Sequence, residues 1–242
     1  MKESLSITEQ LTMRLLQELR NGCYQGCNRL PPEQDISNFF GVSRTVVRDA
    51  LSTLEREGFI GRKRGVGTVI NQHVLSVKTR IDMEEEFLDM IRDIGKTPST
   101  KLIDIQECPA DEQTAKQLWI PEGETVLAIS RLICADEVPA IFCRDYIAKR
   151  RISDPHYDIN VLENPIFDFI RKYCNGEVYM DVSEVRAVAA TREIAKLLNV
   201  ALAEPLLNIT DVGYTFYGEP VLTSSEFYVD GIFHHTILRK KI

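Results

Sequence analysis

The 242-residue sequence contains no run of eighteen apolar residues, so it offers no transmembrane helix. Its opening residues, MKESLSITEQ, lack the apolar stretch of a secretory signal. No CxxC pair occurs among Cys23, Cys27, Cys108, Cys134, Cys143 and Cys174. Histidines number four, and His234 and His235 are adjacent, so in a strand they would point to opposite faces. A zinc site wants two close ligand pairs, so neither metal nor cofactor is predicted, and the thiols read as small buried hydrophobes. With no export signal they read as reduced, and the location as the cytoplasm. No Ser/His/Asp or Cys/His pair has a supporting motif, and no phosphate loop is present. No internal repeat or low-complexity tract is read in the chain. Hydrophobic residues at 44% and charged residues at 27% are enough to build a core, which excludes disorder as the main state.

The formal charge of -7 argues at first against a phosphate-bearing partner. Its distribution reverses that reading. Residues 1–75 carry ten Lys+Arg against eight Asp+Glu, a net +2. The other 167 residues carry 19 against 28, a net -9. Residues 40–70 hold six basic and three acidic side chains, a local +3.

The hydrophobic spacing in residues 6–20 predicts a first amphipathic helix, with Ile7, Leu11, Leu15, Leu16 and Leu19 inward and Gly22 closing it. PPEQDISNFF predicts a second, starting after Pro32 and facing Ile36, Phe39 and Phe40 inward. Gly41 and Val42 turn the chain. Ser43 is a good cap for SRTVVRDALSTLEREG, whose apolar face is Val46, Val47, Ala50, Leu51 and Leu54. FIGRKRGVGTVI then reads as a hairpin with a basic, glycine-containing tip. Three short helices and such a hairpin make a winged helix-turn-helix pattern. Residues 71–82 have no clear period and read as a linker, with 76–82 dividing domains at 1–75 and 83–242. EEFLDMIRDIG predicts a further short helix. Beyond it six β-rich segments alternate with helical stretches near DEQTAKQLW, NPIFDFIRKYC and TREIAKLLNV, which implies an α+β domain on an antiparallel sheet.

The stretch LPPEQDISNFFGVSRTVVRDALSTLEREGFIGRKRGVGTVI resembles the DNA-binding domain of GntR-family bacterial transcription regulators. It supplies LP-x-E, GVSR-x-x-VR-x-AL, L-x-x-x-G and G-x-GT in register over about forty residues. The second half, through its strand order and the R-L-x-x-A-D-x-x-P segment at 131–139, resembles the UTRA effector domain of the HutC subfamily, a chorismate lyase-like fold.

The resemblance implies a cytoplasmic, ligand-responsive regulator, acting by repression, that binds a palindromic DNA operator as a homodimer without a membrane. It assigns Arg44 to base readout, where a guanidinium can donate twice to guanine at about 1–3 kcal/mol of discrimination. Ser43, Thr45, Arg48, Glu33 and Gln34 complete the expected helix-turn-helix surface, and Arg62, Lys63, Arg64, Gly65, Gly67 and Thr68 the wing. Gln34 stands where some members carry an arginine, and Val46 where threonine is common, so the operator sequence stays open. For the effector, the resemblance points to Arg131 and to the hydroxyls of Thr97, Ser99 and Thr100 in GKTPSTK. Arg144, Glu184, Glu226 and Tyr228 are further strand polar candidates. Ile133 and Pro165 replace an arginine and a serine of sugar-phosphate-binding relatives, which counts against a sugar phosphate. The expected ligand is a small anionic or zwitterionic metabolite. Two other readings remain open: an enzyme of chorismate lyase-like fold acting on a small anionic metabolite, and an architectural DNA binder without a ligand.

Overall fold

The computed structural model describes residues 6–83 and 85–240. They form two compact units, one running up to Met83 and taking in the tail from His235, the other spanning 85–234. Among the described residues, no helix is long and apolar enough to cross a membrane.

In the first unit, α1 (Ile7–Asn21) starts at Ser6, whose hydroxyl and the Glu9 carboxylate satisfy each other's backbone N–H groups as a capping box. Its leucines 11, 15 and 19 are buried one turn apart. Ile7 is exposed, because it precedes the first turn that reaches the core. Helix α2 (Glu33–Phe40) buries Ile36 and Phe40. That i, i+4 pair fills the inner stripe and leaves Phe39, expected inside, exposed on its margin against Phe40 and Tyr24. Gly41 ends α2 with φ 67°, a conformation glycine adopts without steric cost. Ser43 accepts a hydrogen bond from the Val46 N–H and opens α3 (Arg44–Arg56), which buries Val47, Ala50, Leu51 and Leu54. Strands β1 (Ile60–Lys63) and β2 (Gly67–Ile70) pair antiparallel as the hairpin.

Residues 71–82, expected to be a linker, are ordered against this unit. They contain α4 (Gln72–Leu75) and the buried Arg80, which pairs with Asp82, donates to the Glu57 carbonyl at 2.7 Å and lies over the Phe59 ring. The tail, which the sequence reading assigned to the second domain, also packs here. Lys240 Nζ donates to the Glu55 and Arg56 carbonyls at 2.5 and 2.6 Å. The physical reason is the end of α3: its last carbonyls have no partner within the helix, and cationic donors suit that pole.

The second unit is a six-stranded antiparallel sheet ordered β3-β4-β5-β8-β7-β6. Its elements are α5 (Phe87–Asp93), β3 (Pro98–Pro109), α6 (Glu112–Leu118), β4 (Thr125–Ala135), β5 (Val138–Ala148), α7 (Ile166–Tyr173), β6 (Met180–Ala189), α8 (Arg192–Leu198), β7 (Pro205–Tyr214) and β8 (Pro220–Val229). On one face α7 packs Phe169 and Ile170 against Ile129, Ile147 and Leu222. On the other, α8 packs Ile194 and Leu198 against Leu132 and Phe142, and α6 packs Ala115 and Leu118 against Val126.

Contrary to the sequence reading, this unit contains a repeat. Strand, helix and hairpin recur as β3-α6-β4-β5 and β6-α8-β7-β8. Ala110 bonds Glu124 and Gly123 through its backbone, and Ala190 bonds Glu204 and Ala203 in the same way. The helices end alike, at left-handed Trp119 and Asn199. The repeat escapes the sequence because packing asks only for apolar residues at matching places, not for the same ones.

Candidate functional site

Two surfaces carry the candidate residues, one in each unit. In the first, the cap at Ser43 places Arg44 in the first turn of α3 with its side chain in water. Arg44 and Arg48 are both 58% exposed, one turn apart, and Glu33 Oε2 lies 3.7 Å from the first and 3.2 Å from the second. Such exposed pairs contribute about 0–1 kcal/mol, little enough to be exchanged for phosphate or base contacts. Glu33 therefore orients the two guanidinium groups rather than offering a phosphate anything itself. Thr45 and Gln34 are exposed, the latter donating to Asn38 Oδ1 at 3.0 Å.

On the hairpin, Lys63 and Arg64 are exposed beside Gly65 and Gly67, whose φ angles of 81° and 91° give the tip a conformation other residues adopt only with strain. Thr68 is half-buried, its carbonyl accepting from the Leu30 N–H. Arg62 departs from the expected phosphate row. Its Nε donates to Glu55 Oε2 at 2.8 Å and its Nη2 to Ser52 Oγ at 2.9 Å, so it clamps the hairpin to α3. These contacts turn its guanidinium back toward α3, which leaves Lys63 and Arg64 as the outward cations.

In the second unit, a partly open cleft lies between one sheet face, the residues leading into α5 and those leading into α7. Side chains alternate across a strand. The register therefore puts Arg131 on β4, Cys143 and Asp145 on β5, Ser224 and Glu226 on β8, and Asp211 on β7 on this same face. Of the expected effector residues, Thr100, Arg131 and Glu226 line the cleft, as do the substituted positions Ile133 and Pro165. Tyr228 is buried beside it and donates to Glu226 Oε2 at 2.5 Å, and burial holds its phenol well above the usual range.

The other expected residues lie elsewhere. Thr97 and Ser99 engage the β4–β5 turn, the Thr97 N–H donating to Asp136 Oδ1 at 2.9 Å and Ser99 Oγ to Glu137 Oε1 at 3.1 Å. Arg144 and Glu184 have the opposite strand parity. Arg144 pairs with Glu193 of α8 at 2.9 Å, and Glu184 with Arg186 on the edge strand at 2.6 Å.

Sequence reasoning missed Glu86, Asp145, Asp181, Asp211 and Ser224, all on the cleft wall. Asp145 and its neighbour Arg144 cannot be told apart by pattern, because apolar residues sit on both faces of β5. Asp145 binds Arg131 Nη2 at 2.8 Å, each side chain 3% exposed, while Arg131 Nη1 donates to the Asn164 carbonyl at 3.1 Å. Arg131 Nε is buried with no partner among the described residues. Burial pushes the Asp145 carboxyl up, and the facing guanidinium opposes that rise. Burial also lifts Asp181 to about 6, with Asp211 adding to the rise, and lifts Glu86 to about 7, with Asp168 adding. Asp211 is raised by burial against the opposing hydrogen bonds of Ser183 and Ser224. The cleft wall thus carries an excess of carboxylates over its one guanidinium.

Residues 93–233 match the UTRA domain family, and residues 7–70 match the gntR family of bacterial regulatory proteins. The HTH-type transcriptional repressor NagR of Bacillus subtilis (strain 168) is 27% identical over 213 residues, 87% of this chain and 85% of that protein. The probable fructoselysine utilization operon transcriptional repressor of Escherichia coli (strain K12) is 28% identical over 88% of this chain and 86% of its own length. Among solved structures, the possible transcriptional regulator YydK from Bacillus subtilis subsp. subtilis str. 168 superposes with a TM-score of 0.81 at 17% identity, over 98% of this chain and 100% of that one. PhnF from Mycobacterium smegmatis gives 0.60 at 21% identity, over 97% and 99%. At these identities the two structures show a shared fold. The related proteins are transcription regulators, which removes the enzymatic alternative. This chain is a ligand-responsive DNA-binding transcription regulator, and it belongs to the gntR family of bacterial regulatory proteins with a UTRA domain.

Proposed function

We propose that this protein is a cytoplasmic repressor of the HutC subfamily that binds a palindromic operator as a homodimer and releases it when a small metabolite fills the cleft of the second unit. The exposed, one-turn-apart pair Arg44 and Arg48 at the start of α3 carries the DNA half of this reading. An N-terminal recognition-helix turn is where such motifs contact base edges. Lys63 and Arg64 on the glycine-flanked hairpin supply phosphate contacts alongside. In this reading the domains are residues 1–75 and 83–242 joined by 76–82, with the tail folded back onto the first. The names of the two repressor relatives, one of them a probable repressor of a fructoselysine utilization operon, support repression as the output.

Selection of sites from random duplex DNA with the full-length chain tests the proposal. The expected product is an inverted repeat with half-sites about 34–36 Å apart, one helical turn, or a multiple of it. A single unpaired half-site, or no consensus at all, overturns it.

A further inference from the structure

The cleft is unusual for a site expected to take an anion, and we propose that the effector is a small hydroxylated molecule bearing a protonated amine and no phosphate. This inference rests on the effector-site reading above and names its ligand class.

The single cation at the cleft is already committed. Arg131 gives one Nη to Asp145 and the other to the Asn164 carbonyl, so the charge that an acidic ligand would seek is neutralised at 2.8 Å. Its Nε, on a side chain 3% exposed, lacks a partner among the described residues. One uncharged acceptor, a hydroxyl or carbonyl oxygen, satisfies it. An anion there would meet the Asp145 carboxylate as well.

The opposite wall is built for positive charge. Asp181 and Asp211 stand on neighbouring strands, half-buried, and neither forms a salt bridge among the described residues. Gly213 is the register partner of Asp181. A Cβ built on it would come within 2.8 Å of Asp181 Oδ1 and 3.1 Å of Val178 Cγ1. The missing side chain makes the space in which the carboxylate sits beside the cleft. Glu86 faces the same space from the segment entering α5. Two half-buried like charges repel, and an ammonium group placed between them relieves that repulsion without needing either to be protonated. Thr100 and Ser224 add hydroxyl partners for a polyhydroxylated body. A divalent cation is the less suitable occupant, since no group of three His, Cys, Asp or Glu among the described residues could hold a metal ion. The apolar Ile133 and Pro165 line the remainder and offer a phosphate no donor side chain.

Thermal unfolding of the full-length protein with matched probes tests this: D-glucosamine, D-glucose and D-glucose 6-phosphate, then L-lysinol against 1,2-hexanediol and 6-aminohexanoate, with magnesium and manganese chloride alone. At least one amine should raise Tm by about 5 °C at a hundredfold excess over its Kd, while its neutral and phosphorylated counterparts do not. Isothermal titration of the stabilising amine should weaken at least tenfold in Asp181→Asn and in Asp211→Asn. Gly213→Ala, which crowds Asp181 without changing any charge, should weaken it in the same direction. A shift produced by the phosphate ester or by a metal, and lost in the aspartate variants, overturns the amine class and leaves the effector cleft standing. No shift from any amine at 10 mM, or an amine affinity unaltered by all three substitutions, overturns the proposal outright.

Discussion

The two units handle charge in opposite ways. In the DNA-reading unit, Arg44 and Arg48 are more than half exposed and are held only by a surface carboxylate, and Lys63 and Arg64 lie free in solvent on a turn. In the sensing unit, the principal arginine is sealed at 3% exposure against an equally buried aspartate, and the carboxylates crowd a cleft. The first arrangement suits a polyanion that arrives from outside and exchanges one weak ion pair for several stronger contacts. The second suits a small ligand, because charges held out of water interact strongly and discriminate by sign. A net charge of -7 over the whole chain hides both.

The comparison breaks most severely at the buried pair. Asp145→Ala leaves Arg131 charged, buried and short of its partner, and should cost about 3–5 kcal/mol in urea unfolding of the full chain. A loss under about 1 kcal/mol would show that water reaches Arg131 and that the two units do not differ in this respect. Arg44→Ala should lower operator affinity by about 1–3 kcal/mol, roughly tenfold to a hundredfold, in a gel-shift titration while leaving the Tm unchanged. An equal Tm loss in that variant would mean that the exposed pair with Glu33 is structural after all.

Within the wing the contrast recurs on a smaller scale. Lys63→Ala should weaken binding to every DNA sequence alike and reduce the salt slope by about one. Arg62→Ala should leave the salt slope alone and instead lower stability by about 1 kcal/mol, since its guanidinium is hydrogen-bonded to Glu55 and Ser52. Matching salt slopes in the two variants would contradict the clamp.

The smallest effect concerns pH. Asp181 rises to about 6 in the folded state, above its ordinary range near 3.9. A raised folded value means that the folded state binds the proton more tightly. The stabilisation is therefore complete below about pH 4 and is lost as pH climbs through 6. Asp181→Asn should flatten the fall in Tm between pH 4 and 7 by about 1–3 °C, on the order of 1 kcal/mol or less. An unchanged pH profile would mean that Asp181 is fully solvated.

Much of the fold was legible in the sequence because short-range rules decide it. Ser43 followed by an apolar stripe writes a capped helix, and Gly65 and Gly67 directly after three cations write a hairpin tip. The cleft was less legible. The family pattern points to Arg131 and Thr100, but the sequence offers Arg144 and Glu184 as equal candidates although one step of strand parity sends them to the far face. Asp181 and Asp211 carried no local signal, since their meeting depends on β6 pairing with β7.

The sequence by itself determined that one end of this chain is a basic winged helix-turn-helix and the other a strand-rich acidic domain, because capping, periodicity and charge counts are properties of neighbours in the chain. Only the tertiary structure decided that Arg131 is committed to Asp145, that the tail closes the end of α3, that the sensing sheet is a repeat, and that Asp181, Asp211 and Glu86 join the other carboxylates of one cleft. Those outcomes rest on strand register and on contacts between residues far apart in sequence, where burial rather than residue type sets what each charge can do.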